Sequence, residues 1–476
     1  MITKYKTYLN KLQSEAYDSK RFLVSIRNTK KANKINFTKK LKIIFITALT
    51  ITLLPLCFIN NFLGLTIFIV FIGFFYYPIW LANEFFKLLE KIYKNYQIRK
   101  YKIKIDNLKS KNLKVIAITG SAGKTTVKNI VTKILKTKYK VLQTPKSYNT
   151  FYGITKVINY ELDDSYNFFV VEVGAYKIGE IKEIMKFLQP DYSILTTINE
   201  QHIERFGNIK NTTQAKFEII DYAPKDNIAF ANATNKRIKN RITNNNIYKK
   251  VIQYGILQES MQQTRKNIGV DLLNYNYKVE PENSVINFTY NNLQSQFKVK
   301  IKNNLYNFKT RMLGKNNAQN ILVSALLCEK IGISKGTIQN TINSLKPLDN
   351  RLQIKKLKNY TLIENSYSSN VEGFKENIEI AKNTKRELKV IVTGGIVELG
   401  FKEQEIHNKL GKKINTIFDY VFLVGKNSRT KALSKNIKKN KVTFIKNTLD
   451  YKEQIEKLKL KDIVVLMEND IGENYN

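Results

Sequence analysis

A glycine-rich turn between an apolar run and a helix-like segment constrains the fold more than any other feature of the sequence. Residues 115–131 read VIAITGSAGKTTVKNIV. Backbone N–H groups of such a turn bind phosphate oxygens, while Lys124 and Thr125 add a cation and a hydroxyl ligand for Mg²⁺. The usual first glycine of a phosphate-binding loop is replaced by Ile118. The strand–turn–helix context still favours a nucleotide-binding loop over a plain turn, with contacts from Gly120, Ser121, Ala122, Gly123, Lys124, Thr125 and Thr126.

Downstream of this turn, apolar runs typical of buried strands alternate with segments of helical period. That alternation predicts an α/β domain with a parallel sheet covered by helices. Residues 274–312 alternate polar and apolar residues instead, which predicts a small antiparallel β patch. A second α/β unit follows Pro347. We therefore expect a central domain over residues 113–346 and a Rossmann-like C-terminal domain over residues 347–476.

Two apolar stretches precede the turn, at residues 41–60 and 62–82, and Lys42 is the only charged residue in either. Each has about 20 residues, the length that crosses a bilayer core as a helix. They predict a two-helix transmembrane hairpin that turns at Asn60 and Asn61. Two buried core helices of a water-soluble domain are the alternative.

The segments on either side of the predicted hairpin are basic. Because positively charged flanks stay on the inner face of a membrane, both are expected in the cytoplasm. The predicted order is a basic cytoplasmic segment (1–40), the hairpin (41–82) and a basic helical linker (83–112). Both α/β domains would then lie in the cytoplasm, attached to a multi-pass anchor in the inner cell membrane.

The formal net charge is +41, but the lysines are scattered through every segment. A scattered distribution indicates compositional bias rather than a nucleic-acid-binding stripe, and it also suits attraction to anionic lipid head groups. Cys57 and Cys328 are the only cysteines. Two thiols cannot form a four-cysteine zinc site, and we expect a reducing compartment.

The loop TGSAGKTT resembles that of the Mur ligases, ATP-dependent amide-forming enzymes of cell-wall precursor synthesis. The resemblance extends from about residue 113 to the C-terminus and implies that ATP and two Mg²⁺ ions bind here. TPKSYNTFYGI contains Asn149 in a substrate-binding position. VEVGA and INEQHIERFGN carry Glu172 and His202, which match metal-binding residues of the family.

Lys216, in TTQAKFEII, matches a family lysine that reacts with CO₂ to give a carbamate. A nearby metal lowers the pKa of such an amine and stabilises the carbamate as a ligand. The resemblance implies metal binding by Thr125, Glu172, His202 and Lys216, and catalytic roles for Lys124, Lys216, His202 and Arg351.

The remaining predicted contacts lie nearer the C-terminus. LGKNNAQNILVSAL resembles the family's adenine-contacting helix, with Asn317 and Asn320 on one helix face. Arg351, in DNRLQ, matches an arginine that approaches the ATP phosphates. IENSYSSNVEGF resembles D-D-S-Y-N-A-N-P, and the resemblance implies substrate binding by Ser366, Tyr367 and Asn370.

Several positions depart from the family pattern. Asn365 replaces the second aspartate of D-D-S-Y-N-A-N-P, Glu364 replaces the first, and Asn316 replaces a histidine. In GGIVELG, which resembles G-D-M-x-E-L-G, Gly395 takes the acidic position. Because an amide cannot act as an anion or a base, Asn365 leaves open a catalytically impaired ligase fold that serves as a scaffold.

Among the branches of the family, the motifs look most like the ligase that adds D-alanyl-D-alanine to a UDP-muramoyl tripeptide. The implied reaction activates a muropeptide carboxylate as an acyl phosphate, which an amine then attacks. The predicted hairpin occupies the place of the family's usual UDP-binding domain, so a UDP-linked and a lipid-linked acceptor both stay open. The amine donor and association with other cell-wall enzymes are also open. A membrane-anchored poly-γ-glutamate synthase is the alternative, and no nucleic-acid partner is expected.

Overall fold

The chain divides into two compact units, residues 1–100 and residues 101–476. The computed structural model describes residues 2–15, 17–26, 38–58, 62–74, 76–145, 148–244, 251–256, 283–291, 293–357, 359–367, 369–457 and 462–469.

The first unit is helical in its described residues. Its helices are α1 (Ile2–Ser14), α2 (Ser19–Ile26), α3 (Lys39–Leu53), α4 (Phe62–Gly73) and the start of α5 (Tyr76–Ser110), with a 3₁₀ turn at Leu54–Phe58. Tyr5, Phe22, Ile44 and Ile79 belong to its buried core. Most of the predicted helical linker, residues 83–112, lies within α5.

The described residues do not support the predicted two-helix transmembrane hairpin. The first apolar stretch stops being α-helical at Leu53, because Pro55 lacks an N–H group and its ring clashes with the carbonyl four residues earlier. The second is divided between α4 and α5, and Pro78 lies in the first turn of α5, where proline is tolerated. In the described part of the chain, no single helix has the length and apolarity of a span. The pair Leu63–Phe71 and Tyr76–Ser110 meets that criterion only together, with a bend of 93°.

The second unit begins with a nine-stranded sheet in the order β2-β3-β1-β4-β5-β6-β7-β8-β9. Neighbouring strands from β2 to β7 are parallel, and β7, β8 and β9 are antiparallel. The strands are β1 (Lys114–Thr119), β2 (Val141–Gln143), β3 (Phe168–Glu172), β4 (Tyr192–Leu195), β5 (Ile228–Asn232), β6 (Val251–Ile256), β7 (Asn283–Asn291), β8 (Gln294–Ile301) and β9 (Asn304–Thr310).

This architecture confirms the predicted α/β class with a mainly parallel sheet. The antiparallel strands continue the same sheet. Of the predicted patch at residues 274–312, residues 274–282 and 292 lie outside the described residues. All five residues of β3 are buried, as expected for a strand covered on both faces. The covering helices are α6 (Lys124–Leu135), α7 (Phe151–Tyr160), α8 (Glu180–Leu188), α9 (Ile203–Phe206), α10 (Ile209–Asp221), α11 (Lys236–Asn244), α12 (Lys315–Ile331) and α13 (Lys335–Asn343).

A second sheet of six strands follows, in the order β10-β11-β15-β12-β13-β14. Its pairs are parallel except for β10 with β11. The strands are β10 (Gln353–Lys356), β11 (Tyr360–Asn365), β12 (Leu388–Gly395), β13 (Tyr420–Val424), β14 (Val442–Ile445) and β15 (Ile463–Asn469). Its α-helices are α14 (Val371–Lys382), α15 (Glu403–Ile417), α16 (Ser428–Ser434) and α17 (Tyr451–Lys457).

The strand order determines where the first sheet can bind a ligand. β1 lies between β3 and β4, so the chain leaves β1 toward one side of the sheet and later returns to its other side. The carboxyl ends of parallel strands form a ligand-binding crevice at such a switch point. The glycine-rich turn follows β1 and Glu172 ends β3, so both lie at that crevice.

Candidate active site

A cavity of about 510 Å³ lies between the central and C-terminal domains. The central domain contributes the glycine-rich turn, the end of β3 and the start of α12, while the C-terminal domain contributes residues near Arg351, the loop after β11 and Glu398. Gly120, Lys216 and Ser366 do not line this cavity. The predicted residues that do are Ser121, Ala122, Gly123, Lys124, Thr125, Thr126, Asn149, Glu172, His202, Asn317, Asn320, Arg351, Tyr367 and Asn370.

Two glycines allow the turn to approach its neighbours closely. Gly120 has φ 148°, and a Cβ there would lie 2.0 Å from Thr196 Oγ1. Gly123 has φ 86°, and a Cβ there would lie 2.6 Å from Asn320 Oδ1. Since a side chain at either position would collide with its neighbour, the close turn requires glycine.

Lys124 and Thr125 start α6 and face the end of β3. Lys124 Nζ donates to the Gly120 carbonyl at 2.9 Å. Burial lowers the pKa of Lys124, and the charge of Glu172 partly offsets this effect. Thr125 Oγ1 donates to Glu172 Oε2 at 2.8 Å. A hydroxyl and a carboxylate therefore lie together at the start of the helix.

Glu172 is the centre of a buried polar cluster. Asn149 Nδ2 donates to its Oε1 at 3.0 Å, and Lys128 Nζ lies 3.6 Å from its Oε2. Burial alone would raise the pKa of Glu172, but Lys124, Lys128 and the hydrogen bonds from Asn149 and Thr125 lower it. The carboxylate is therefore charged at neutral pH and available to a cation.

His202 contacts the C-terminal domain. Its Nδ1 bonds with Glu398 Oε2, and Arg205 Nε donates to Glu398 Oε1 at 2.8 Å. Burial alone would raise the pKa of Glu398, but His202 and Arg205 lower it to about 2. Burial lowers the pKa of His202, against the effect of Glu398. The three side chains connect the two domains at one edge of the cavity.

Lys216 lies behind the cavity wall. Its Nζ donates to the Ala175 carbonyl at 3.3 Å. Burial, followed by repulsion from Lys124, lowers the pKa of Lys216 to about 7. Part of the amine is therefore neutral at neutral pH, which is the form that reacts with CO₂.

The residues predicted to contact adenine lie in the first turns of α12. Asn320 packs against Gly123, and Asn317 Nδ2 donates to the Leu313 carbonyl at 2.7 Å. Glu376, from α14 of the C-terminal domain, accepts hydrogen bonds from the N–H groups of Lys315 and Asn316. Burial raises the pKa of Glu376 to about 7, although those hydrogen bonds oppose the shift.

Arg351 extends from the C-terminal domain to the glycine-rich turn. Its Nη2 lies 3.5 Å from Thr125 Oγ1, and its guanidinium lies 4.4 Å from the ring centre of Tyr367. Asn370 caps α14 through the Gly373 N–H at 3.0 Å and accepts from Asn199 Nδ2 at 3.2 Å. The buried hydroxyl of Ser366 donates to Glu364 instead, at 3.4 Å. Arg351 and Asn370 thus both contact the central domain.

The fit of these residues to metal ions is uneven. In the described residues, no group of three or more His, Cys, Asp or Glu side chains is placed to hold a metal ion. Thr125 and the charged Glu172 suit one Mg²⁺, which binds few protein ligands and keeps several waters. For a second ion, His202 could offer Nε2 only, because its Nδ1 is bonded to Glu398.

Several charged site residues were not predicted from the sequence. Lys128 follows Lys124 by one helical turn and is buried, so its place on the apolar face of α6 was an available signal. Arg205 and Glu398 lie in the quoted segments INEQHIERFGN and GGIVELG, but their contact with each other, like that of Glu376 with Asn316, joins the two domains and has no local signal.

Comparisons with known proteins agree with this geometry. The Mur ligase middle domain profile matches residues 118–328, and the profile described as Mur ligase, glutamate ligase domain, matches residues 350–467. The chain is 29% identical over 320 residues to a UDP-N-acetylmuramoyl-tripeptide--D-alanyl-D-alanine ligase of Buchnera aphidicola subsp. Baizongia pistaciae, covering 67% of this chain and 64% of that one. It is 26% identical over 322 residues to the enzyme of the same name from Escherichia coli, with coverage of 66% and 65%. The chain thus spans just under two thirds of the length of these two relatives.

Two solved structures share the fold. MurF ligase from Thermotoga maritima, solved in complex with ADP, has a TM-score of 0.67 and 22% identity, covering 79% of this chain and 80% of that one. MurF from Acinetobacter baumannii also has a TM-score of 0.67, with 19% identity and coverage of 79% and 77%. The two profiles together match more than half of the sequence, in the order of the two domains. The chain therefore belongs to the Mur ligase family.

Proposed function

We propose that this chain is an ATP-dependent, ADP-forming ligase of peptidoglycan precursor synthesis that joins D-alanyl-D-alanine to a muropeptide carboxylate. The names of its relatives and the order of its two domains support this proposal. The observation that carries it is the approach of Arg351, from one domain, to within 3.5 Å of Thr125 in the glycine-rich turn of the other. Arg351 thereby reaches the turn that carries Lys124, and phosphoryl transfer requires positive charge around the transferred group.

The reaction proceeds in two steps. The acceptor carboxylate attacks the γ-phosphorus of ATP, which forms an acyl phosphate and releases ADP. The amine of the dipeptide then attacks the acyl carbon, so an amide bond forms, inorganic phosphate leaves and a proton is lost. Lys124 and Arg351 stabilise the negative charge of the transferred phosphoryl group. Contacts between the domains at His202 and Glu398 exclude water, which would hydrolyse the acyl phosphate.

Mg²⁺ fits the pair Thr125 and Glu172, whose contacting oxygens are 2.8 Å apart. When bound there, it would neutralise phosphate charge. Asn149 orients the Glu172 carboxylate through its hydrogen bond at 3.0 Å. Lys128 keeps that carboxylate ionised. A second Mg²⁺ could bind Nε2 of His202, whose Nδ1 is bonded to Glu398.

A carbamate on Lys216 is part of the proposal. The neutral amine would attack CO₂, form an N–C bond and release one proton. The pKa of about 7 supports this step, because much of the amine is unprotonated slightly above neutral pH. With ¹³CO₂, the protein should give a carbamate carbon signal by NMR that grows between pH 6 and 8 and is missing from Lys216→Arg. A signal of equal size in Lys216→Arg would contradict this part of the proposal.

We also propose that residues 1–100 attach the enzyme to the inner membrane, with the α/β domains in the cytoplasm. Exposed apolar side chains on α4 support attachment, including Leu63 and Ile69 at 70% and 60% exposure. The chain should sediment with membranes and resist extraction by alkaline carbonate. Release by high salt alone would indicate electrostatic binding of the basic segments instead.

The donor and the acceptor are tested together. The purified chain should release ADP when ATP, UDP-muramoyl tripeptide and D-alanyl-D-alanine are all present. Release that needs L-glutamate instead would favour a poly-γ-glutamate synthase, and preference for a lipid-linked muropeptide would change the acceptor. Absence of amine-dependent ADP release under every combination would favour the scaffold.

A further inference from the structure

A fully buried carboxylate lies beside the loop that follows β11. Glu468, near the end of β15, pairs in register with Asn365 at the end of β11 and has no exposed surface. Asn365 Nδ2 donates to both carboxylate oxygens at 3.0 Å, and Asn377 Nδ2 donates at 2.7 Å. The Ser369 hydroxyl donates as well. Glu468 is therefore bonded to a strand end, a loop and a helix.

These donors surround the segment expected to bind substrate. Asn365 begins the loop, Ser369 is near its end, and Asn377 lies in α14, which the loop enters. Between them, Tyr367 contacts Arg351, and Asn370 contacts the central domain. The Glu468 carboxylate thus holds both ends of the loop from which Tyr367 and Asn370 line the cavity. Glu468 itself does not line the cavity.

The chemistry of the Asn365–Glu468 pair determines which atom of the Asn365 amide points toward Glu468. A buried carboxylate needs donors, so the amide must turn its Nδ2 toward Glu468. Its carbonyl oxygen is then the atom available to the cavity, which Asn365 lines. An aspartate at position 365 would instead bring a second carboxylate to about 3 Å, where two such groups cannot both ionise.

We propose that Glu468 is the positioning residue for this loop, and that from β15 it supplies a carboxylate beside Asn365, the position where the family pattern has its second aspartate. Asn365 is then an adapted partner of Glu468 rather than the mark of an inactive enzyme. This inference rests on the proposed ligase function for its kinetic part, and on the geometry alone for its structural part.

The test is a double-mutant cycle of Asn365→Asp, Glu468→Gln and the double variant. Asn365→Asp restores the family residue, yet it should lower kcat by about 100-fold at pH 7.5, because two buried carboxylates then oppose each other. The loss should shrink toward pH 5.5 as one of them is protonated. Glu468→Gln should lose about tenfold, since it keeps an acceptor but not the charge. The double variant should recover to within about threefold of the parent.

Glu453→Gln is the matched control, because Glu453 is an exposed glutamate of the same domain. Full activity of Asn365→Asp at pH 7.5, or a double variant no better than Asn365→Asp, would overturn the proposal. If Asn365→Asp does not fold, recovery of folding and activity in the double variant still decides the matter.

Hydrogen exchange of residues 365–370 tests the positioning role of Glu468 separately from the ligase function. Asn365→Asp should exchange faster than the parent in this loop at pH 7.5, and the double variant should return to the parent's rate. An inactive parent with this exchange pattern would defeat the ligase function but support the role of Glu468. An active parent with unchanged exchange in every variant would support the ligase function but contradict the role of Glu468.

Discussion

The two walls of the cavity differ in how they are built. On the central-domain wall, the glycine-rich turn, Lys124 and Thr125 are positioned by one strand–turn–helix segment, and Glu172 comes from the adjacent strand. On the C-terminal wall, Asn365 depends on Glu468, which is 103 residues away. The first wall keeps the loop TGSAGKTT of the family pattern although Asn316 replaces a histidine, whereas the second departs from the pattern at positions 364, 365 and 395. Local backbone geometry tolerates little change, while a pair of side chains can exchange roles if both partners change.

The largest effect is expected on the first wall. Lys124→Ala removes a cation that the proposed mechanism places at the transferred phosphoryl group, so kcat should fall by about 1,000-fold or more. ADP release at saturating substrates measures this, and far-UV circular dichroism should stay unchanged. Lys133→Ala, an exposed lysine in the last turn of the same helix, should behave like the parent. Turnover of Lys124→Ala near the parental rate would remove the basis for its role.

A smaller loss is expected for the cation supplied by the second wall. Arg351→Ala should lower kcat by about 100-fold, because it removes the positive charge that the proposed mechanism brings to the phosphates from the C-terminal wall. Arg351→Lys should recover part of this loss, since it keeps the charge but not the planar fork. Steady-state kinetics with varied ATP separate kcat from KM. If titrations of the dipeptide showed that both variants changed only its KM, Arg351 would belong to the amine-donor site instead.

Loss of the contact between the walls should lower kcat by about tenfold. Glu398→Gln keeps the shape of the side chain but removes the charge that holds Arg205 and His202. Weaker closure should lower kcat and raise the radius of gyration measured by X-ray scattering. Glu405→Gln, an exposed glutamate of the same domain, is the control. A variant that is slower but equally compact would show that Glu398 acts on chemistry rather than closure.

The smallest effect concerns pH. The folded-state pKa of Glu376, about 7, lies above the ordinary carboxyl value of 4.5. A group shifted in this direction favours folding fully below pH 4.5, and this contribution is lost as the pH rises through 7. Urea unfolding between pH 5 and 8 should therefore show stability declining less with pH in Glu376→Gln than in the parent. Parallel profiles would mean that Glu376 titrates normally.

Most of the first wall could be predicted from the sequence, but only part of the second, namely Arg351, Tyr367 and Asn370. Strands such as β3 are continuous apolar runs, and the glycine-rich turn is a contiguous motif, so both could be predicted from neighbouring residues. The bond between His202 and Glu398 joins residues 196 apart, and the contact of Glu376 with Asn316 joins residues 60 apart. Such partners become visible only when the domains are assembled.

In the first unit, by contrast, the signal that decides where the helices end was visible in the sequence. Apolarity alone suggested two continuous spans, although Pro55 and Pro78 were visible in the sequence. Both lie close to the points where α-helices stop or start, in agreement with the constraint that proline imposes on the backbone. A proline within an apolar stretch therefore argues against one continuous helix, whatever the hydropathy of the stretch.

The central claim is that both walls together activate a carboxylate as an acyl phosphate. Acceptor labelled with ¹⁸O in that carboxylate tests it directly, because the oxygen that bonds to phosphorus leaves with the phosphate when the amine attacks. The account predicts one ¹⁸O atom in the inorganic phosphate for each amide formed. Unlabelled phosphate released alongside the amide would contradict it.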